Sequence, residues 1–312
     1  MKIMPNQNNR QIKIFCLKDS KDFRDYELLD TGDGEKLERF GLYIFVRPYE
    51  DAVWKKTLPE SEWNKADGKF WSSKQGAKAG WKMKNEQGES LLKKWETEYK
   101  GIKFLARPTS FRHLGFFPEH AVHWDFIEER IKSAEVGLPQ KVKFLNLFGY
   151  TGVASLFALR AGAEVTHLDA SKQVLNWAKE NQKLSDLQNL PMRVIEDDAI
   201  KFLEREAKRG NKYDVIIMDP PKFGRGPKGE VWKIEEMLPK LLSAVHQVLS
   251  DQPLFVILTS YADDSSSLTT GYALEEMMKD FGGHVEAGEL CILEKSNGRV
   301  IPLANTAVWS II

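Results

Sequence analysis

The 312 residues carry 45 Lys+Arg against 45 Asp+Glu, so overall charge points to neither nucleic acid nor a membrane surface. Two cysteines, Cys16 and Cys291, exclude a disulfide framework and a zinc cluster and predict a reducing, cytoplasmic setting. Residues 1–10 are polar with no apolar core after them, and no apolar run approaches the ~18 residues of a membrane span, so neither a signal peptide nor a membrane partner is expected.

In chain order, residues 1–20 read as a frayed lead-in with a strand at 12–17. Residues 26–46 read as a hairpin-like region turning at Asp30-Thr31-Gly32-Asp33-Gly34, residues that tolerate positive φ, with a strand at 42–46 stopped by Pro48. Short strand-like pieces follow around Trp54, Phe70-Trp71 and Trp81-Lys82-Met83, then a short helix at 90–95 and a strand at 102–105. A helix is expected over 120–133, with Pro118 before its first turn, where a missing N–H costs nothing. Residues 136–139 read as a linker, which divides the chain into a β-rich module at 1–135 and a second domain at 136–312.

The second domain is organised around residues 143–223. Strands at 144–148, 163–168, 192–195 and 213–218 alternate with helices, which predicts a doubly wound α/β sheet. Later elements extend it: a loop at 224–229 too rich in glycine for regular structure, a helix at 230–249, a strand at 254–259 and a helix at 268–281. An antiparallel pair at 290–293 and 304–311 closes the sheet. In such sheets ligands lie beyond the carboxyl ends of the strands. Four marked segments fall there: Gly149-Tyr150-Thr151-Gly152, Asp169, Asp198-Ala199 and Asp219-Pro220-Pro221-Lys222-Phe223.

Each has a plain structural reading beside a functional one. The glycines allow close approach of a ligand where a Cβ would clash, or merely pack helix on strand. The spacing lacks Gly-x-Gly-x-x-Gly, which argues against a dinucleotide. Asp169 can accept two ribose hydroxyls, or serve as a turn residue ahead of a Ser171 cap. Asp198, ahead of a helix from Ala199, is a cap or an acceptor. The two prolines remove N–H groups and leave carbonyls and the Asp219 carboxylate as acceptors, or simply end a strand.

Taken together this series resembles the class I S-adenosylmethionine (SAM)-dependent methyltransferases over residues 140–312. More narrowly it is similar to the ribosomal-RNA large-subunit methyltransferases whose fourth strand ends in Asp-Pro-Pro-Lys-Phe. The likeness extends to residue 100 through Gly115-Phe116-Phe117-Pro118, although Glu119-His120-Ala121 replaces that family's acid, amide and arginine. The resemblance implies a Rossmann-like fold with a smaller N-terminal β-rich (α+β) domain. It implies SAM contacts from Phe117, Pro118, Asn146, Phe148, Gly149, Thr151, Gly152, Asp169, Ala170, Ser171, Asp198, Ala199 and Asp219. By the same resemblance Asp198, the second acid of its pair, would be the adenine partner rather than Asp197. Asp219, Pro220, Pro221, Lys222 and Phe223 would form the catalytic loop, with Phe223, Arg225 and Lys228 toward the acceptor.

The expected activity is direct methyl transfer to a base of RNA, ribosomal RNA first. The alternatives are a protein or small-molecule acceptor, or a silent SAM- or RNA-binding module. No cysteine stands at 219–223 or after the fifth strand, so a thiolate route to pyrimidine C5 is not expected. Residues 54–112 hold 14 Lys+Arg against 7 Asp+Glu, interleaved with Trp54, Trp63, Trp71, Trp81 and Trp95. That pattern suits RNA binding or, equally, a small core under a solvated face. His113, His120 and His123 cluster, and His120 and His123 could share a helix face at i, i+3, but no third metal ligand is identifiable; they read as surface or capping residues, so no metal is expected. Oligomeric state is left open.

Overall fold

A computed structural model describes residues 11–17, 22–71, 79–84, 94–135, 140–261 and 265–311. The expected helix at 90–95 and linker at 136–139 fall largely or wholly outside them; Trp95 opens a strand instead.

The C-terminal half is built on an eight-stranded sheet. Its parallel strands are β9 (Lys143–Leu147), β10 (Glu164–Asp169), β11 (Met192–Glu196), β12 (Val215–Met218) and β15 (Phe255–Ser260). An antiparallel pair follows, β17 (Val300–Ser310) beside β15 and β16 (His284–Leu293) beyond it. β9, β12 and β15 are buried on both faces, which is why they read as unbroken apolar runs. The helices between strands are α3 (Val153–Arg160), α4 (Lys172–Leu184), α5 (Ala199–Lys208), α6 (Ile234–Val248) and α7 (Ser267–Met278). α2 (Ala121–Glu135), entered through a 3-10 turn at Pro118–His120, packs against α3. The sheet order places β9 between β10 and β12. The chain therefore winds one way from β9 through β10 to β11 and the other way through β12, and the gap between β9 and β12 is the switch point.

The N-terminal half contributes a five-stranded sheet of β2 (Tyr26–Gly32), β3 (Glu35–Phe40), β4 (Tyr43–Pro48), β5 (Gly68–Trp71) and β6 (Gly80–Met83). A short helix α1 (Glu60–Trp63) and the hairpin β7 (Trp95–Tyr99) and β8 (Ile102–Ala106) complete it. The turn expected at 30–34 is shorter than the sequence suggested. Asp30 and Thr31 are buried strand residues, and the chain reverses at Asp33-Gly34, with φ of 51° and 78°. The residues around Trp54 form no strand. The short β1 (Lys13–Phe15) joins the large sheet, parallel to β16.

The two halves share a core. Phe23, Phe40, Phe45 and Phe104 pack in one cluster with Trp124, Leu156, Phe157 and Ile301. Each such ring, fully buried, contributes roughly 1.5–3 kcal/mol. Leu28 bridges Glu294, and the buried Glu294 carboxylate accepts from Thr31 Oγ1 at 2.6 Å. Within the small sheet, Arg47 grips Glu38 through Nε and Nη2, both at 2.6 Å, while its Nη1 donates to the Arg112 carbonyl at 3.0 Å. Burial alone would raise the Glu38 carboxyl; Arg47 and Lys36 outweigh it and hold it down to about 2. This bidentate pair anchors the segment that leads to the switch point.

One sequence expectation fails here. Residues 224–229 are not an irregular loop: β13 (Phe223–Arg225) pairs antiparallel with β14 (Val231–Lys233). Gly229 takes φ 87° in the reversal, and the Gly226 N–H closes it on the Glu230 carbonyl at 2.8 Å. β14 occupies the first residues assigned to the next helix, which starts at Ile234 instead of 230.

Candidate active site

The loops after β9, β10, β11 and β12 open along one edge and line two adjoining cavities that share Phe117, Phe148, Tyr150 and Asp219. The larger measures about 410 Å³, in the range of small-molecule sites.

The loop after β9 is strained. Phe148 and Tyr150, neither of them glycine, take φ of 57° and 51°. Such conformations persist only where the surroundings enforce them, and they collect at functional sites. Here the enforcing groups lie beneath the loop. Asn146 Nδ2 donates to Ser155 Oγ at 3.0 Å, Ser155 meets His167 Nδ1 at 3.0 Å, and His167 Nε2 reaches the Tyr150 carbonyl at 3.3 Å. Burial pushes the His167 imidazole down to about 4, so this chain is uncharged. A Cβ at position 149 would lie 2.3 Å from the His167 ring, and one at 152 would lie 2.9 Å from Ala178 Cβ. Packing alone therefore requires both glycines, and they carry no separate information about a ligand. Thr151 ties the loop to its cover by donating to the Gly115 carbonyl at 2.6 Å.

Three carboxylates stand along the cleft. Asp169 ends β10 and accepts from the Tyr150 N–H at 3.0 Å and the Ser171 N–H at 2.9 Å. Burial raises its pKa against the pull of those N–H groups. Ser171 is the residue before α4, but its side chain makes no capping bond. Asp198 caps α5, accepting from the Lys201 N–H at 3.0 Å, and Asp197 is taken up by an ion pair with Arg205. Cap and ligand roles are compatible for Asp198, since a carboxylate has more lone pairs than the one it commits here. Asp219 directly follows β12 and lies in both cavities.

Asp219 has partners that the sequence did not announce. Its Oδ2 is 3.5 Å from His120 Nε2, which is also 3.0 Å from the Tyr261 hydroxyl; that hydroxyl donates to Glu119 Oε1 at 2.8 Å. Burial would lower the His120 pKa, but the hydrogen bond and charge of Asp219, with Glu119 adding, hold it above the ordinary imidazole value. His123, one helical turn on, is buried against Thr306 Oγ1 at 2.9 Å and pushed down to about 3 by desolvation. Burial, with Arg47 and Arg112 nearby, takes His113 to about 3 as well. The three histidines are thus part of the site wall and its support, not surface or capping residues. Trp232, also unforeseen, donates to the Pro221 carbonyl at 2.5 Å and packs on Phe148 at 5.0 Å between ring centroids.

The other expected residues sort by place. Phe117, Asn146, Phe148, Thr151, Ala170, Ser171, Ala199, Pro221, Lys222 and Arg225 line one cavity or the other. Pro118 instead faces a separate small cavity holding Cys16 and Cys291, and Pro220 is buried. Phe223, 57% exposed, and Lys228, also exposed, line neither cavity. Of the five tryptophans, Trp63 is buried, Trp54, Trp81 and Trp95 are partly buried, and Trp71 is exposed. Among the described residues no group of three His, Cys, Asp or Glu is arranged to hold a metal ion, and no helix is long and apolar enough to cross a membrane.

A wall of carboxylate acceptors suits a ligand that is cationic and rich in donors, and SAM fits: it offers ribose hydroxyls, an exocyclic amine, an ammonium and a sulfonium. The comparisons agree. A SAM-dependent methyltransferase from Agrobacterium tumefaciens, known as a crystal structure, matches over 99% of both chains with 39% identity and a TM-score of 0.88. The chain belongs to the SAM-dependent methyltransferases of class I, and SAM is its methyl donor. The model of the family described as conserved hypothetical protein 95 matches residues 129–280. The ribosomal RNA large subunit methyltransferase K/L of Pseudoalteromonas translucida is 32% identical over 152 residues, which are 48% of this chain and 20% of that protein. The chain thus spans about a fifth of the curated relative's length. A putative SAM-dependent methyltransferase from Streptococcus mutans, at 15% identity and TM-score 0.70 over 94% of this chain and 76% of that one, shares the fold.

Proposed function

We propose that this methyltransferase acts on a base in RNA, ribosomal RNA being the first candidate, by direct transfer without a cysteine nucleophile. The observation that carries the reading is the mouth of the Asp219 cleft. Arg112 and Arg225 line it, and the exposed Phe223 lies on the same short strand as Arg225, two residues before it and four after Asp219 in the chain. Guanidinium groups for phosphate and an exposed aromatic face for an unpaired base are what single-stranded RNA takes up. The similarity to named ribosomal RNA methyltransferases supports the same class. The tryptophans at 54, 63, 81 and 95, packed into the N-terminal half, contribute structure to this reading, not base contacts.

Asp169 would take the ribose and Asp198 the adenine amine, with Asp219 facing the acceptor. Cys16 and Cys291 line a cavity apart from the cleft, and burial raises the pKa of both thiols, pushing Cys291 up to about 12, so neither is suited to attack a pyrimidine ring. The test is labelled methyl transfer from SAM onto extract fractions of a strain lacking the enzyme, split into RNA and protein. Label in large-subunit RNA is expected, with binding that weakens steeply as salt rises. Label confined to protein or small molecules would overturn the RNA assignment.

A further inference from the structure

His120 sits among groups from three further elements. Asp219 follows β12, Tyr261 follows β15, and His123 lies on α2, while Glu119 precedes it on its own turn. With the Tyr261 O–H donated to Glu119, the phenol oxygen is left to accept from His120 Nε2–H. If Nε2 loses its proton, the same hydroxyl can turn and donate to it, so both protonation states are accommodated. His123, held neutral, adds no charge. The His120 imidazole therefore meets the Asp219 carboxylate directly and the Glu119 carboxylate through the Tyr261 hydroxyl, and its side chain is only 16% exposed.

We propose that His120 is a proton reservoir matched to the charge of SAM: it holds a proton while the cleft lacks a cation, releases it when the sulfonium enters, and regains one as that charge disappears. Two cations near one carboxylate in a water-poor site repel, which disfavours the imidazolium. The bookkeeping closes for an acceptor with an N–H or O–H. Its lone pair forms the new bond to the methyl carbon, and the electrons of the broken C–S bond stay on sulfur. Asp219 takes the proton the acceptor loses and passes it to His120 Nε2. His120 is thus a positioning residue acting through Asp219, and the net charge of the wall and its ligand is the same before and after transfer.

The inference needs SAM and its demethylated product S-adenosylhomocysteine (SAH) but no acceptor, so it stands or falls separately from the RNA reading. Calorimetric binding of each ligand near pH ~7, in two buffers of different ionisation enthalpy, counts protons released. The two ligands differ in the sulfonium alone. SAM is expected to release on the order of half a proton more than SAH. H120Q, which retains a donor toward Tyr261, should bring that excess to zero while SAH affinity stays within a few-fold. D219N should lower the pH at which the excess is greatest. Equal proton counts for the two ligands in the native protein, or an excess that persists in H120Q, would overturn the proposal. Should H120Q not fold, a D219N profile identical to the native one would overturn it as well. A purely structural role for His120 would leave the native counts equal.

Discussion

The two ends of the cleft hold their carboxylates by different means. Asp169 and Asp198 are fixed by backbone N–H groups, from Tyr150, Ser171 and Lys201. Asp219 is met by an imidazole, itself backed by a phenol and a second carboxylate. A backbone amide keeps its proton across the accessible pH range, whereas an imidazole does not. One end is therefore built for constancy and the other for change, and under the roles proposed above that division would separate the binding of the donor from the chemistry of its methyl group.

The largest expected effect lies at the changeable end. Asp219→Ala should slow single-turnover methyl transfer by about 10²–10⁴-fold, the range for a positioned proton acceptor, while SAM affinity stays within a few-fold. An undiminished rate at saturating SAM would remove Asp219 from the chemistry and erase the distinction between the ends. At the constant end, Asp169→Ala should cost about 1.5–3 kcal/mol of SAH affinity, as expected for hydrogen bonds to a charged acceptor. Calorimetry showing unchanged affinity would sink the ribose assignment. Asp198→Ala should lower stability by about 0.5–2 kcal/mol through the lost cap of α5, read as a shift in denaturant midpoint, along with weaker SAH binding. If the midpoint falls but SAH binds as before, Asp198 is a cap and no more.

The smallest effect is a dependence on pH. Burial leaves Asp169 with a folded-state pKa above its unfolded value, so the folded state holds that proton more tightly. The stability this provides is full below the unfolded value, about 4, and is lost as pH rises through the folded one. Asp169→Asn should flatten that decline in thermal unfolding curves. A decline of the same slope in Asp169→Asn would assign it to other groups.

Much of this was legible in the chain. Buried parallel strands must be apolar on both faces, so β9, β12 and β15 announced themselves, and acids placed directly after strands announced the edge where a ligand would lie. What stayed hidden depends on adjacency in space. His120 and Tyr261 are 141 residues apart, and no period or spacing relates them. Thr151 reaching Gly115, and Trp232 reaching Pro221, are likewise products of the fold. Counting lysines and tryptophans in residues 54–112 could not tell a binding face from a core, because a small sheet needs aromatic rings on its inner side whatever it binds. The β13–β14 hairpin was missed for a local reason, since glycine density marks a reversal as readily as an irregular loop.

The place of β1 bears on solubility. β16 would otherwise form one margin of the eight-stranded sheet, with a row of unanswered N–H and C=O groups able to recruit a strand from another molecule. Lys13, Ile14 and Phe15 fill that row, paired with Gly288, Glu289 and Leu290. Gly288 permits the fit, since a Cβ there would lie 1.7 Å from the Lys13 carbonyl oxygen. Lys13 also ties the strand to its neighbour, its ammonium meeting the Glu286 carboxylate of β16 at 2.6 Å. Three residues near the start of the chain thus act as a selvedge for the catalytic sheet, and trimming them would exchange a finished border for a sticky one.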